Sequence, residues 1–168
     1  GQKVDFLAYP YGDYDRQVAA ASARAGYEAA LTCEFGRVRR GSDPLRMKRL
    51  VVDKRMDFAT FRHYLGAYPL RLAETAPLPN QVVEPEQPVT ISARIPNYRE
   101  LDPKSVGMAL LTSGITDPFS YDARDGSISM VIKDAVTALK GRYQLAVIRA
   151  TDTKTGKPVE AARSFKLP

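Results

Sequence analysis

The chain has 168 residues, of which 44% are hydrophobic, so it can form one ordinary domain or two small ones with a filled core. No stretch approaches the roughly 20 apolar residues that a membrane-spanning helix needs, and the single cysteine excludes an internal disulfide. The net charge of +6 admits an acidic polymer, a phosphate-bearing ligand or a membrane surface as a partner.

Residues 1–66 predict alternating strands and helices. The apolar run from Val4 to Tyr9 is typical of a strand that is buried on both faces. Asp15 is the predicted cap of the next helix, which Gly26 ends. The other elements predicted here are a strand over 27–33, a short strand over 49–52 and a helix that begins after Asp57.

A basic stretch covers residues 37–55. Its net charge equals the net charge of the whole chain, because it has two acidic residues, Asp43 and Asp53, and eight basic ones. The basic residues are Arg37, Arg39, Arg40, Arg46, Lys48, Arg49, Lys54 and Arg55. Two interpretations stay open: a surface that meets an anionic partner, or a solvated loop and strand whose acidic neighbours lie elsewhere. The stretch contains no aromatic residue, so it lacks a platform on which nucleic-acid bases could stack.

The second half of the chain differs in pattern from the first. Four prolines within 67–87 break any regular element and predict a linker: Pro69, Pro77, Pro79 and Pro85. Over 88–168, apolar and polar residues alternate in several short runs, which predicts an all-β sandwich. The segment Leu139-Lys140-Gly141-Arg142-Tyr143-Gln144-Leu145 resembles the tyrosine corner of Ig-like folds, and the domain resembles a bacterial Ig-like module attached to an extracytoplasmic enzyme.

The most informative segment is Phe6-Leu7-Ala8-Tyr9-Pro10-Tyr11-Gly12-Asp13-Tyr14, a strand that runs into an aromatic turn and then a helix. This order places the turn at the carboxyl end of a strand, where α/β proteins carry their sites. The segment resembles the third motif of the NodB-type polysaccharide deacetylases, in their FAYPYG branch. Three downstream runs follow that family's pattern in order and approximate spacing: Ala25-Gly26-Tyr27, Asp43-Pro44 and Met47-Lys48-Arg49-Leu50.

The resemblance implies a metal-dependent enzyme that removes N- or O-acetyl groups from a surface or cell-wall glycan. By resemblance, Tyr9, Pro10, Tyr11 and Gly12 bind substrate, and a backbone N–H near Tyr11 helps to bind the oxyanion. Tyr11 and Arg49 are the implied catalytic residues, Arg49 acting on the catalytic carboxylates. The implied cofactor is a divalent metal, zinc or similar, held by an Asp and a His-x-x-x-His pair. The chain has one histidine, so its own residues are predicted to bind no metal and the chain alone is predicted to be inactive.

Other reactive side chains have simpler explanations. His63 is predicted to lie on a helix as a surface or packing residue, because it has no neighbouring ligands in the sequence. Asp13 and Asp15 are expected to cap the helix that follows them. Cys33 is predicted to be a small buried hydrophobe. Besides part of a deacetylase, two functions stay open: a non-catalytic β-sandwich module that binds glycan or protein or acts as a spacer, and a nucleic-acid binder suggested by charge alone.

The predicted fold is an α/β part from the end of a deformed β/α barrel (1–66), a Pro-rich linker (67–87) and an all-β Ig-like sandwich (88–168). The expected partner is an acetylated polysaccharide, with no nucleic acid and no membrane span. The family implies an extracytoplasmic location. A strand that is apolar on both faces also predicts a homo-oligomer through residues 1–66.

Overall fold

A computed structural model describes residues 3–52, 54, 56–78, 81–116, 118–139, 141 and 143–168. The chain divides into two compact units, a first unit of residues 1–56 and a second unit of residues 57–168. Some residues used above lie outside the described residues: Asp53 and Arg55 of the basic stretch, Pro79 of the expected linker, and Lys140 and Arg142 of the tyrosine-corner segment. No helix among the described residues is long and apolar enough to cross a membrane.

The first unit is a three-stranded parallel sheet with one α-helix. Its elements are β1 (Phe6–Ala8), α1 (Arg16–Arg24), β2 (Ala29–Phe35) and β3 (Met47–Arg49), with β2 in the centre of the sheet. Asp15 caps α1 as expected, accepting a hydrogen bond from the Val18 N–H at 2.7 Å. Gly26 follows the helix with φ +88°, a conformation that favours glycine.

Strand β1 is not buried on both faces. Phe6 is 70% exposed and Ala8 is exposed, whereas Leu7 between them is partly covered. The register places Leu31 of β2 beside Ala8, and Leu31 is exposed as well. On the other face, Ala30 is fully buried. An apolar run can therefore mark a strand with one open face as well as a doubly covered one.

The second unit has two four-stranded sheets and two helices. One sheet has the order β4-β11-β10-β7 and the other β5-β6-β9-β8. The strands are β4 (Tyr68–Pro69), β5 (Ala73–Ala76), β6 (Val89–Arg94), β7 (Gly107–Leu110), β8 (Phe119–Asp122), β9 (Ser127–Ile132), β10 (Tyr143–Thr151) and β11 (Pro158–Lys166), and the helices are α2 (Phe58–Gly66) and α3 (Ala135–Ala138). Both sheets contribute to one hydrophobic core, which includes Ile91, Leu110, Met130, Ile148 and Phe165.

The predicted fold class is wrong. The described residues are mostly β-sheet, in three separate sheets with few helices, and they contain no part of a closed α/β barrel. Among the described residues β1 and β3 remain the open edges of the first sheet. Helix α2, expected to continue the β/α alternation, belongs to the second unit. Alternating elements predict parallel pairing of near neighbours, but closure depends on further strands that this pattern does not supply.

The segment 67–87 forms part of the second unit. It contains β4 and β5, and Leu70 lies in the core with its N–H donating to the Glu160 carbonyl at 2.9 Å. Val83 donates to the Lys166 carbonyl at 2.8 Å. Pro69 lies in the short edge strand β4 and Pro85 lies in a turn, where a missing N–H costs little. The two compact units divide between Met56 and Asp57.

The predicted tyrosine corner lies partly outside the described residues, which do not include Lys140 and Arg142. Tyr143 begins β10 and is 41% exposed, with the Lys166 Nζ 5.3 Å from its ring centroid. Its neighbour Gln144 takes the interior position instead. Gln144 Nε2 donates to the Gly141 carbonyl at 2.8 Å, and Ser113 Oγ donates to Gln144 Oε1 at 2.7 Å. A glutamine satisfied at both ends can replace an apolar side chain in a core.

Candidate functional site

The turn that follows β1 lies at the carboxyl edge of the parallel sheet, the usual position of ligand sites in open α/β sheets. Residues Pro10–Gly12 form a tight turn whose backbone departs from helical geometry at Tyr11. Both Tyr11 (φ +57°) and Gly12 (φ +73°) adopt left-handed backbone conformations. This conformation is uncommon for a bulky side chain and costs about 1–3 kcal/mol. It turns Tyr11 outward, where it is 89% exposed.

Gly12 fixes this turn against the sheet. A Cβ on Gly12 would lie 2.4 Å from Cys33 Cβ and 2.8 Å from Cys33 N, so only glycine allows this approach. Cys33 is exposed, so the prediction of a buried cysteine is wrong. Side chains alternate between the two faces of the sheet along β2, and Cys33 lies on the open face. Arg49 Nη2 lies 2.6 Å from Cys33 Sγ, which brings Arg49 beside the turn.

Tyr9 lies beneath the turn and does not face solvent. It is 4% exposed, and its hydroxyl donates to the Leu45 carbonyl at 2.9 Å. Its ring stacks on Tyr14, with centroids 4.7 Å apart and an interplanar angle of 14°. Of the four residues predicted to bind substrate, Tyr9 therefore positions the turn, whereas Pro10 and Tyr11 are exposed on it and Gly12 is buried against Cys33.

A polar cluster supports Tyr14 from the neighbouring strands. The Tyr14 hydroxyl donates to Glu34 Oε1 at 2.5 Å and accepts from Arg46 Nε at 2.9 Å. Glu34 is buried on β2, and Lys48 Nζ lies 3.7 Å from its Oε2. Burial, followed by the hydrogen bond to Glu34, raises the pKa of Tyr14 from 10.0 to about 12. Tyr14 is therefore a stable hydrogen-bond donor at neutral pH.

The sequence analysis missed Tyr14, Glu34 and Arg46 as parts of this site. One available signal was Glu34, because a carboxylate that interrupts an apolar strand is rarely buried without partners. The contacts join residues 14, 34 and 46, which are far apart in the chain. Spacing along the sequence therefore could not pair them. Together the turn and the cluster offer one exposed aromatic ring and nearby guanidinium groups, an arrangement suited to binding a sugar and an anion.

The residues present do not fit the divalent metal that the resemblance implies. Within the described ranges, no group of three His, Cys, Asp or Glu side chains could hold a metal ion. The only histidine, His63 on α2, lies with its Nε2 3.2 Å from Glu160 Oε2. Glu160 is buried and also accepts from Arg149 Nε at 2.6 Å. Asp15 is used as a helix cap. The histidine and the carboxylates thus serve other contacts.

Comparisons with known proteins assign no family. No family model matches the sequence, and no curated protein matches it. One similar solved structure is that of the endo-beta-1,4-mannanase from Thermotoga petrophila, at 13% identity and a TM-score of 0.43. The match covers 91% of this chain and 34% of the mannanase chain. A likeness of this degree assigns neither a fold nor a function.

Proposed function

We propose that the first unit provides substrate-binding residues of a polysaccharide deacetylase, a hydrolase of amide bonds or acetyl esters on an extracytoplasmic glycan. The observation that carries this proposal is the strained turn that exposes Tyr11 at the carboxyl edge of the sheet. An exposed aromatic ring offers an apolar face to a sugar ring. Arg49, the other implied catalytic residue, is held beside this turn through Cys33.

The turn also limits which backbone group could bind an oxyanion. Pro10 has no N–H, and the N–H groups of Gly12 and Asp13 donate to the carbonyls of Tyr9 and Pro10 at 2.9 and 3.0 Å. The Tyr11 N–H is the remaining donor of the turn. We assign it the role of oxyanion donor, in which a backbone N–H stabilises the charge that develops on the acyl oxygen.

The metal and the catalytic base would come from outside the residues described here. In the deacetylase family the metal polarises the acyl carbonyl and activates water. Because the described residues do not form such a site, we expect the chain alone to release no acetate from N-acetylated oligosaccharides. Acetate release at a rate comparable with a complete deacetylase would contradict this expectation.

Binding of an N-acetylated oligosaccharide to the whole chain tests the proposal. Tyr11→Asn removes the ring and keeps a residue that tolerates positive φ, so the turn is preserved. We expect this variant to bind about tenfold more weakly, which corresponds to about 1.4 kcal/mol of lost stacking. Tyr143→Ala is the matched control, because Tyr143 is also a partly exposed tyrosine but lies in the second unit. Equal affinity of wild type and Tyr11→Asn would refute the placement of the site.

A second candidate is a non-catalytic module that binds glycan or protein or acts as a spacer. The second unit favours it, because its two sheets share one continuous core. The same experiment separates the two candidates. Glycan binding that Tyr11→Asn leaves unchanged would place the binding surface in the second unit and favour the module.

We also propose that the chain self-associates through the open face of the first sheet. Phe6 and Leu31 are exposed there, and β1 is an unpaired edge strand in the described structure. Phe6→Ser should therefore reduce the oligomer measured by light scattering. Phe58→Ser is the control, since Phe58 is 74% exposed but lies on α2. A wild-type chain that is monomeric at micromolar concentration would contradict this proposal.

A further inference from the structure

We infer that Tyr11, Arg46 and Arg49 form a surface that binds an anionic polysaccharide, one whose sugar rings carry carboxylate or phosphate groups. We call these three residues the cationic rim. The inference rests on the proposed function, since it specifies the class of glycan that the turn would meet.

Contacts place both arginines beside the segment that carries Tyr11. Arg46 Nε donates to the Tyr14 hydroxyl at 2.9 Å, three residues after Tyr11. Arg49 Nη2 lies 2.6 Å from Cys33 Sγ, and Cys33 packs directly against Gly12, the residue that follows Tyr11. The Tyr9 hydroxyl, two residues before Tyr11, donates to the carbonyl of Leu45, which precedes Arg46. The turn and the two guanidinium groups therefore belong to one local surface.

Exposed guanidinium groups give this surface its positive charge. Arg46 and Arg49 are exposed, and neither forms an ion pair with a carboxylate of the described residues. Glu34 is engaged by Tyr14 and Lys48. Asp43 accepts the Leu45 N–H at 2.9 Å as the cap of a short 3₁₀ turn. Two further arginines, Arg39 and Arg40, lie in the same connection between β2 and β3 and add to the positive potential.

The chemistry of the cationic rim suits a charged sugar. A guanidinium group binds carboxylate or phosphate oxygens through two parallel hydrogen bonds, while the ring of Tyr11 offers an apolar face to the sugar itself. Single-stranded nucleic acids instead use several aromatic rings on which successive bases stack. The connection from Gly36 to Arg49 carries no aromatic residue, so the surface offers one ring and is matched to one sugar with one oxyanion.

Calorimetric titration of the whole chain tests this inference with matched ligands. Polygalacturonate carries a carboxylate on each sugar, and its methyl ester has the same backbone without the charge. A phosphorylated dextran and plain dextran form the corresponding phosphate pair, and single-stranded poly(dT) tests the nucleic-acid alternative. In at least one of the two pairs, we expect the charged polysaccharide to bind at least about tenfold more tightly than the neutral one. We also expect this preference to fall as salt rises from about 0.05 to 0.3 M.

Four arginine variants locate the binding surface. Arg46→Gln and Arg49→Gln should each weaken binding of the charged ligand by about three- to tenfold, since each removes a charge-assisted hydrogen-bond donor. Arg62→Gln removes one exposed arginine from α2 and should leave the affinity unchanged. Because Arg46 also supports Tyr14, Arg46→Lys is a second substitution at the same position. It keeps the charge and should retain more affinity than Arg46→Gln, and melting curves establish that all variants are folded.

Each outcome bears on a different claim. Equal affinity for charged and neutral polysaccharides, with Tyr11→Asn still weakening both, would overturn the cationic rim and leave the proposed function intact. An equal loss in Arg62→Gln would show non-specific attraction and would also overturn the rim. Tighter binding of poly(dT) than of every polysaccharide would replace the glycan by a nucleic acid. Binding to no polysaccharide at all would overturn both the rim and the proposed function.

Discussion

Substitution of Gly12 by alanine should destabilise the first unit far more than the same change at Gly26. Both glycines have positive φ, +73° at Gly12 and +88° at Gly26, so both variants force an L-residue into the left-handed region. The two sites differ in the space around the added methyl group. Nothing lies within 4 Å of a Cβ at Gly26, whereas a Cβ at Gly12 would lie 2.4 Å from Cys33 Cβ.

Backbone strain and steric overlap determine how much stability each variant loses. The left-handed conformation costs an alanine about 1–2 kcal/mol, and this is the whole cost expected for Gly26→Ala. At Gly12, carbon atoms would approach more than about 1 Å inside their optimal separation, and relief of such overpacking costs a further 1–3 kcal/mol or so. Gly12→Ala should therefore lower the free energy of unfolding of this unit by about 2–5 kcal/mol, and its midpoint by about 4–8 °C for each kcal/mol.

Amide hydrogen exchange read by mass spectrometry is the appropriate assay, because it reports opening of residues 1–56 separately from the rest of the chain. The double variant Gly12→Ala/Cys33→Ala adds a further check. Two of the three close atoms, Cys33 Cβ and N, persist in it, so little stability should return. Equal losses in Gly12→Ala and Gly26→Ala would refute the reasoning, and so would full recovery in the double variant.

Three further predictions concern buried and exposed polar groups. Arg149→Met should cost about 2 kcal/mol of stability, because it removes a guanidinium group that pairs with the buried Glu160. Arg124→Met breaks a pair on the surface and should cost much less. Thermal melts compare the two variants. The pKa of Tyr14 is higher in the folded state, about 12, than its value of 10.0 in the unfolded chain, so Tyr14 contributes stability below pH 10.0 that is lost as pH rises through about 12. Tyr14→Phe should remove this loss of stability at high pH, which amide exchange rates measured against pH would show. Tyr143→Ala should lower the free energy of unfolding by less than about 1 kcal/mol, since the side chain is 41% exposed. A larger loss would support the role of Tyr143 in a tyrosine corner.

Local sequence patterns predicted the strands and helices better than they predicted which residues contact one another in the fold. The alternation of Val89, Ile91 and Ala93 correctly indicated the buried face of β6, and Asp15 and Asp57 cap helices as expected. In β10, Gln144 occupies a buried position although its side chain is polar. Its two hydrogen bonds inside the fold make it a core residue, and periodicity alone could not reveal them.

The candidate site was predictable only in part. The Pro-Tyr-Gly sequence identified the turn, and the resemblance drew attention to Arg49. Burial of Tyr9 and exposure of Cys33 were not predictable, since both depend on which face of the sheet is covered. The three-dimensional contact between Tyr14 and Glu34 likewise required the pairing of β1 with β2, a long-range choice that a turn motif does not determine.

The composition of the first unit suggests how its binding surface would show itself. Its buried side chains include few large apolar groups, and several are polar: Ser22, Thr32 and Glu34 accompany Tyr9 and Ala30. Much of its order therefore rests on hydrogen bonds and charges, which contribute little net stability each. A ligand that binds the folded unit adds RT ln(1 + [L]/Kd) to its stability, about 2.7 kcal/mol at a hundredfold excess over Kd. In a unit with so small an apolar core this increment is a large fraction of the total, so bound anionic polysaccharide should slow exchange across residues 1–56 as a whole rather than at the turn alone.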